Sequence, residues 1–322
     1  MSFLQGLPRL FFVLAPMDDV TDTVFRQIVA DCARPDLFFT EFVNVDGLAS
    51  PGRKKLLPKL WFDKKEQPIV AQLWGLKPDN FYKATKDLKK MGFAGVDLNM
   101  GCPVKTVIKN GACAALIDNR ELAGEIIQAT QKAAGKDFPV SVKTRVGFKE
   151  IDMSWIEFLL SKKLNMLSIH GRTAKQLSKV PADWGLIGQS RELRDKLSPS
   201  TLLVGNGDVS SRSEGLALAK KHKLDGIMLG RGIFHDPFIF ANSPDGESPW
   251  QAWTKQQKLE LFSRHIKLYL QTYKNNERKF EALRKFCKVY INGFDGASEL
   301  RAKFMETHTP DQALALLAKD LI

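Results

Sequence analysis

Short apolar runs, each about the length of a β-strand, recur along the first three quarters of the chain. They cover residues 11–15, 37–42, 68–73, 95–98, 139–142, 166–169, 201–204 and 226–229. Most are separated by stretches with helical start and stop signals. Alternating strands and helices predict a parallel sheet, and eight such units match the roughly 250 residues of a (β/α)8 TIM barrel. We therefore predict an α/β fold of this type.

The predicted helices of this region carry recognisable ends. Residues 78–91 and 118–134 are each followed by glycine, and a Ser211-x-x-Glu214 capping box precedes residues 216–221. The weakest repeat is the second, because residues 51–63 are basic and interrupted by proline.

The pattern changes after Pro237. A polar stretch, 242–249, is followed by helical signals only. We therefore predict a catalytic barrel over residues 1–241 and a small C-terminal helical bundle over residues 250–322.

Three helices are predicted in this bundle. The first begins at Thr254 with a Thr-x-x-Gln box, the second covers residues 277–291, and the third begins at Thr309 with Pro310 in its first turn. The apolar stripe expected to bury the first helix consists of Leu259, Phe262, Ile266 and Leu270.

Composition bounds the class of protein. At 322 residues, with 44% hydrophobic and 26% charged side chains, the chain can build a large core. Its net charge of +12 favours a polyanionic partner. Residues 255–288 alone contain ten Lys or Arg and three Glu, a net of +7 beside aromatic residues, which makes an RNA-binding surface as good an interpretation as an ordinary solvated face.

Cysteine usage and the N-terminus predict a cytoplasmic protein. The four cysteines have neither zinc spacing nor the density of a disulfide scaffold, so no metal site is expected. The apolar run after Arg9 is only six residues, shorter than the core of a secretion signal, and no later run is long enough to span a membrane. We expect a monomer that does not bind membranes.

The residues just past the strands carry the chemistry. In a barrel of parallel strands these positions face a common ligand crevice. Instead of ordinary loop residues, the predicted strands end in amide, imidazole, guanidinium and thiol groups. They are Pro16 and Met17, Glu41, Gln72, Asn99 with Cys102, Lys143 with Arg145, His170 with Arg172, Asn206 to Asp208, and Gly230 to Gly232.

Cys102 stands in the stretch VDLNMGCPVK, residues 96–105. An isolated cysteine is more often a buried structural residue. Here a strand delivers it into a Gly-Cys-Pro turn among the other polar strand ends, which favours a catalytic role.

The last two strand ends predict a phosphorylated ligand. Asn206-Gly207-Asp208 and Gly230-Arg231-Gly232 place backbone N–H groups where TIM barrels commonly bind phosphate. Lys143 and His170 then face the other end of that ligand, where a cation stabilises an electron-rich ring such as a flavin.

Together these motifs resemble the tRNA-dihydrouridine synthase family. The matching segments are APM (15–17), QLWG (72–75), DLNMGCPVK (97–105), SVKTR (141–145), HGRT (170–173), NGD (206–208) and GRG (230–232). DLNMGCP is the most specific of them. TEFVNV and PVSVKTR are most similar to the bacterial C-type branch, which modifies position 16 of the tRNA D-loop.

The resemblance implies a flavoenzyme that reduces uridine in tRNA. Reduced FMN would pass hydride to C6 of uridine while the Cys102 thiol, as general acid, protonates C5. NADPH would be the reductant, with NADH open. The implied FMN ligands are Pro16, Met17, Asp18, Gln72, Lys143, His170, Asn206, Gly207, Asp208, Gly230 and Arg231.

The substrate is implied to contact two sets of residues. Near the catalytic cysteine, the base or its phosphate would be held by Asn99, Lys105, Arg145 and Arg172. In the tail, tRNA phosphates would be bound by Arg278, Lys279, Arg284, Lys285 and Lys288. The uridine must leave the folded tRNA to reach the barrel.

Two loops depart from the family pattern. Residues 110–113 read Asn-Gly-Ala-Cys where the family is glycine-rich, and residues 176–178 read Gln-Leu-Ser where a Gly-Tyr pair is common. The second change removes a stacking surface for the substrate. We expect Cys113 to be structural.

Two alternatives stay open on the sequence alone. One is an FMN barrel that acts on a free pyrimidine, which leaves the basic tail unexplained. The other is a tRNA-binding chaperone that kept the fold without the chemistry. The presence of Cys102, Lys143 and His170 argues against this alternative.

Overall fold

The computed structural model describes residues 3–243, 247–275 and 277–320. Eight parallel strands form one sheet in the order β1-β8-β7-β6-β5-β4-β3-β2. A parallel bridge between Val13 of the first strand and Leu37, just before the second, closes the sheet into a barrel. The strands are β1 Phe11–Leu14, β2 Phe38–Asn44, β3 Ile69–Trp74, β4 Gly95–Met100, β5 Val140–Arg145, β6 Met166–His170, β7 Leu202–Asn206 and β8 Gly226–Leu229.

Helices connect the strands and follow the last of them. Those of the barrel are α1 Thr23–Cys32, α2 Val45–Leu48, α3 Arg53–Leu56, α4 Pro78–Lys90, α5 Lys105–Lys109, α6 Arg120–Ala134, α7 Met153–Ser161, α8 Trp184–Leu197 and α9 Arg212–His222. Those of the tail are α10 Lys255–Thr272, α11 Cys287–Tyr290, α12 Ala297–Met305 and α13 Pro310–Lys319. The prediction of a TIM barrel followed by helices is confirmed, and all eight predicted strands occur.

Large side chains fill the interior of the barrel. Phe11, Phe39, Met166 and Met228 form a buried cluster inside the sheet, together with neighbouring valines. The interior is therefore a packed core, and a ligand must bind at the carboxyl ends of the strands.

The predicted helix over residues 277–291 is wrong. Phe280–Phe286 is a 3-10 helix, and only Cys287–Tyr290 is α-helical. The Lys279 carbonyl accepts from Ala282 N (3.1 Å) and from the Tyr269 hydroxyl (2.8 Å), contacts that favour the tighter turn over a continuous α-helix. Leu270, predicted to be buried on the stripe, is also exposed.

The tail packs directly on the barrel. Phe25 of α1 contacts Phe286, with ring centroids 4.8 Å apart, and stacks on His265 of α10 at 5.8 Å. Trp61, in the connection between β2 and β3, stacks on Tyr273. The boundary between residues 241 and 250 stays a prediction, and residues 244–246 of that segment lie outside the described residues.

In the described part of the chain, no helix combines the length and the apolar character that crossing a bilayer requires.

Candidate active site

A cavity of about 430 Å³ opens at the carboxyl ends of the strands. Among the predicted cofactor and substrate residues, those that line it are Pro16, Met17, Lys143, His170, Arg172, Asn206, Gly207, Asp208, Gly230 and Arg231. Gly232 of the predicted Gly230-Arg231-Gly232 segment also lines it, whereas sequence reasoning missed Ala15, Val209, Ser210, Met228 and His235, all of which lie next to or near a predicted residue. The first, sixth, seventh and eighth strand ends, with Lys143 of β5, thus build one pocket.

Two predicted cofactor residues lie outside this cavity lining. Asp18 is partly exposed and pairs with Lys59. Gln72 is fully buried in β3 and bonds to protein groups on both sides. Neither residue contacts the cavity directly, so a role toward the cofactor stays a prediction.

A buried chain of hydrogen bonds connects three strands. Ser141 Oγ and Gln72 Nε2 both donate to Asp97, at 2.5 and 2.7 Å. Gln72 Oε1 in turn accepts from Asn99 Nδ2 at 2.9 Å. Burial raises the pKa of Asp97 to about 6, and the bonds from Ser141 and Gln72 act against this shift. The chain fixes the orientation of the Asn99 amide.

The loop that carries Cys102 is held from two sides. Asn99 Oδ1 accepts from the backbone N–H of Gly101 (3.2 Å) and of Cys102 (2.9 Å). Arg145 Nε donates to the Gly101 carbonyl (2.9 Å), and its Nη1 donates to the Thr173 carbonyl (3.0 Å). Asn99 and Arg145 therefore position Cys102, a role that their strand-end location alone did not reveal.

Cys102 is partly exposed and is a stronger acid than an ordinary thiol. A hydrogen bond from the Cys113 side chain is the main cause that lowers its pKa to about 7, and Lys143 and Arg145 contribute in the same direction. Burial of Cys102 acts against this shift. A thiol with this pKa can give up a proton near neutral pH.

The cations around the cavity perturb one another. Burial and the charge of Arg145 lower the pKa of Lys143 to about 8, against the opposing effects of Asp97 and Cys102. Burial and the neighbouring cations hold the pKa of His170 far below its usual range. His170 is therefore neutral at working pH, and Lys143 is mainly protonated at pH 7.

The pattern of hydrogen bonds determines which nitrogen of His170 carries the proton. Arg172 Nη1 lies 3.1 Å from His170 Nε2. Because Arg can only donate, the neutral imidazole accepts at Nε2 and carries its hydrogen at Nδ1. Arg172 Nη2 also pairs with Asp208, whose other carboxylate oxygen accepts from Arg231 at 3.1 Å. Asp208 thus holds two cations of the pocket in place.

Gly207 allows the close approach of two loops. Its φ of +137° lies in the region that favours glycine, and a Cβ at this position would come within 2.5 Å of Ala182 Cβ.

The cationic residues predicted in the tail divide into two groups. Arg278 is 9% exposed and pairs with the buried Glu41 at the barrel rim, and Arg284 donates to the Thr307 carbonyl at 2.7 Å. Lys279 and Lys288 are exposed, and Lys279 and Lys285 line a second cavity of about 290 Å³ at the junction of barrel and tail. Lys55 and Lys59, from the basic segment after β2, also line it, as do Arg278 and the acidic residues Asp19 and Glu277.

The pairing of Arg278 changes its predicted role. Its guanidinium lies against Glu41, and within 3.8 Å of carboxylate oxygens of Asp19 and Asp22. It therefore connects the tail to the barrel and does not present an exposed charge to a phosphate. Asp18, Asp19 and Glu41 form an acidic group at this rim, and Lys59 also contacts it.

Two solved structures share the fold of this chain. A histamine dehydrogenase from Rhizobium sp. 4-9 superposes with a TM-score of 0.54 at 14% identity, covering 80% of this chain and 48% of that one. A 2-naphthoyl-CoA reductase gives the same TM-score at 13% identity, covering 71% of this chain and 49% of the other. At these identities the likeness concerns the fold alone.

Proteins of known sequence match this chain at much higher sequence identity than these structures do. A Staphylococcus aureus (strain COL) protein named "Probable tRNA-dihydrouridine synthase" is 48% identical over 319 residues, covering 98% of this chain and 94% of its own. The Bacillus subtilis (strain 168) protein named "Probable tRNA-dihydrouridine synthase 2" is 46% identical, covering 98% and 95%. The family model described as dihydrouridine synthase (Dus) matches residues 13–322. The chain therefore belongs to the dihydrouridine synthase family of oxidoreductases.

Proposed function

We propose that this protein reduces specific uridines of tRNA to 5,6-dihydrouridine, with FMN as cofactor, NADPH as reductant and Cys102 as general acid. The observation that carries the proposal is the state of the Cys102 thiol, which is partly exposed on a loop held by hydrogen bonds. Its pKa is lowered in part by the charge of Lys143, a residue that lines the cavity at the strand ends. The printed names of the relatives support tRNA as substrate.

The cavity suits a flavin nucleotide in size and chemistry. Its volume of about 430 Å³ falls in the range of small-molecule sites, about 300–1,000 Å³. Gly207 to Ser210 and Gly230 to Gly232 surround one end with backbone N–H groups, and Arg231 is 65% exposed there, as a phosphate requires. We assign the phosphate to this end and the ring to the side of Lys143 and His170.

With a reduced flavin held on the side of Lys143 and His170, the site would supply a hydride to C6 of the uracil ring. The chain's own contribution is to quench the negative charge that develops along C5 and O4. Cys102 donates its proton to C5, and its loop is kept rigid by Asn99 and Arg145 so that the thiol need not be ordered during the reaction. Lys143, beside the thiol, favours anionic states of the bound groups.

We assign tRNA binding to the junction of barrel and tail. Lys55, Lys279 and Lys285 converge on its cavity, whereas Lys59 of the same lining is paired with Asp18. Lys288 extends the basic surface along the tail. Contacts of these lysines with phosphates would offset the few kcal/mol required to extract a uridine from the folded RNA. Within this proposal the substrate is position 16 of the D-loop, and the enzyme is a cytoplasmic monomer.

The experiment is a direct assay of cofactor and product. Protein purified from cells should be yellow and should release FMN on denaturation. With NADPH it should form dihydrouridine, detected by mass spectrometry, in tRNA prepared without this modification. Reduction of free uridine or uracil at an equal or higher rate than tRNA would favour the free-pyrimidine alternative. A yellow protein that binds tRNA but forms no dihydrouridine would favour the chaperone.

A further inference from the structure

Asp97 of β4 is a buried carboxylate outside the lining of the strand-end cavity. Its register partners in the sheet are Gln72 of β3 and Ser141 of β5. Val70, two residues before Gln72 on the same face of β3, belongs to the buried cluster inside the sheet, so this layer faces the barrel interior. A buried charge is costly unless it is paired or hydrogen-bonded, so the partners of Asp97 determine what it can do.

The hydrogen bonds that start at Asp97 run in one direction. Asp97 is mainly ionised at pH 7, because its pKa is about 6, and an ionised carboxylate can only accept. The Gln72 amide must therefore turn its NH2 group toward Asp97 and its oxygen toward Asn99. Asn99 in turn directs its own NH2 group toward Gln72. The Asn99 oxygen is left to accept from the backbone N–H groups of Gly101 and Cys102.

The other end of this hydrogen-bond chain requires the same direction. Backbone N–H groups can only donate, so the loop needs an oxygen from Asn99 and not its NH2 group. The side-chain polar atoms of Gln72, Asp97 and Asn99 all have partners, at distances between 2.5 and 3.2 Å. Neither amide can turn over without leaving a buried polar group unpaired, which is unfavourable. The carboxylate and the loop thus specify one orientation for both amides.

We propose that Asp97 is a positioning residue that, through the amides of Gln72 and Asn99, fixes the backbone of the loop that carries the catalytic thiol. An apolar side chain in its place would leave the Gln72 NH2 group without its acceptor. The consequence for the rate of dihydrouridine formation rests on the proposed function, whereas the consequence for the order of the loop does not.

The two partners of Asp97 allow its hydrogen bonds to be separated from its charge. The Gln72 NH2 group can only donate, but the Ser141 hydroxyl can donate or accept. An asparagine at position 97 can therefore accept from Gln72 with its oxygen and donate to Ser141 with its NH2 group. Asp97→Asn thus keeps the direction of the hydrogen-bond chain without the charge, whereas Asp97→Ala loses both.

Hydrogen exchange at the backbone N–H groups of Gly101 and Cys102, measured on the full-length protein by mass spectrometry, tests the order of the loop. Asp97→Ala should accelerate this exchange about 3- to 10-fold, as expected when one hydrogen bond is weakened. Asp97→Asn should exchange as wild type does. Asp97→Val fills the space of the carboxylate with methyl groups and gives the same test where the alanine variant is too unstable to purify. The control is Thr130→Val, which removes a buried hydroxyl of α6 and should leave the loop unchanged.

Steady-state kinetics on the same variants test the consequence for the reaction. In Asp97→Ala the kcat for dihydrouridine formation should fall about 10- to 10²-fold, the cost of a slightly misplaced catalytic group, with the KM for tRNA little changed. Asp97→Asn should keep most of the wild-type kcat. Wild-type exchange in Asp97→Ala, equal acceleration in Thr130→Val, or an equal loss of kcat in Asp97→Asn and Asp97→Ala would each overturn the proposal. Faster loop exchange in Asp97→Ala, when even the wild-type protein forms no dihydrouridine, would instead contradict the proposed function.

Discussion

The acidity of Cys102 depends on a neighbour that the family pattern does not supply. Cys113 occupies a loop position that is glycine-rich in the family pattern the sequence resembles, and a hydrogen bond from its side chain is the main cause that lowers the pKa of Cys102. Lys143 and Arg145 add positive charge nearby. The pKa of the Cys102 thiol is therefore adjusted by three residues on two segments, the strand β5 and the 3-10 helix that begins at Cys113.

Replacing Cys113 by alanine should make Cys102 a weaker acid. A hydrogen bond to a charged group contributes about 1.5–3 kcal/mol, so the pKa of Cys102 should rise by about 1–2 units from its value near 7. Because a general acid works in its protonated form, activity that wild type loses above about pH 7 should persist to higher pH in the variant. The pH dependence of iodoacetamide labelling and of kcat/KM measures both effects. Cys32→Ala is the control, and an unchanged labelling profile for Cys113→Ala would contradict the hydrogen bond.

Lys143 should control the binding of an anionic cofactor. Its ammonium loses its charge as the pH rises through about 8, so flavin affinity should fall over that range. Lys143→Met, which keeps the volume and removes the charge, should reduce the bound flavin and slow its reduction by NADPH. Fluorescence titration with FMN measures the affinity. Lys109→Met, on the exposed face of α5, serves as control, and equal FMN affinity in the two variants would exclude this role.

Individual residues were predictable by type and only partly by role. Polar side chains past apolar strands indicated the site, because parallel strands bring their ends together. The pairing of Arg172 with Asp208 and the bracing by Arg145 depend on contacts between loops that are distant in sequence. No local pattern distinguishes a guanidinium that binds substrate from one that orders a loop.

At the level of elements, the link between the tail and β2 is a buried ion pair. Glu41 has no exposed surface, and burial raises its pKa while Arg278 and Lys59 act against that shift. Arg278 lies between the Glu41 carboxylate and the Tyr273 ring, 5.5 Å from the ring centroid. The pair connects the segment after α10 to the middle of β2.

Removal of Arg278 should destabilise the whole protein. Arg278→Ala leaves Glu41 buried without its main partner, and breaking a buried pair in this way typically costs about 3–5 kcal/mol. Lys288→Ala, at an exposed position of the same tail, should change the free energy of unfolding by less than about 0.5 kcal/mol. Urea unfolding followed by tryptophan fluorescence compares the two. Similar midpoints for both variants would show that the ion pair does not hold the tail in place.

Elements with strong local signals were predictable, and those shaped by tertiary contacts were not. The strands follow from apolar runs between turn residues, and the Thr254 capping box with Gln257 forms as its spacing predicts. Residues 277–291 have the composition of a helix. At the start of this segment, however, the Lys279 carbonyl accepts a hydrogen bond from the Tyr269 hydroxyl, and the Arg278 guanidinium pairs with the Glu41 carboxylate. Those partners come from elsewhere in the chain.

At the scale of the whole molecule, the positive charge is the property that most directly concerns the partner. The net charge is +12, and lysines from the barrel and the tail meet at one junction. Charge in the sequence indicated a polyanion, but it could not indicate that Lys55 and Lys285 share a surface. The contact of Arg278 with Glu41 spans 237 positions, so only the folded chain brings these two segments together.

Three lysines of the junction, with Lys288 of the tail, should account for much of the salt dependence of tRNA binding. Each phosphate contact contributes about 0.7–0.9 to the slope of log affinity against log salt. Replacing Lys55, Lys279, Lys285 and Lys288 by glutamine should therefore flatten the slope by about 3, with NADPH oxidation little changed. The control replaces Lys90, Lys132, Lys136 and Lys223, exposed lysines at the opposite, amino-terminal ends of the strands. Equal slopes for the two variants would place tRNA on another face.

The most direct test of the central claim is the dihydrouridine content of tRNA after single-turnover reaction with Cys102→Ala. The account predicts that this variant keeps its flavin, is reduced by NADPH at the wild-type rate, and forms dihydrouridine about 10²- to 10⁴-fold more slowly. Cys32→Ala, treated in parallel, should react as wild type does. Dihydrouridine formation by Cys102→Ala at the wild-type rate would show that another group donates the proton and would contradict the assignment of Cys102 as general acid.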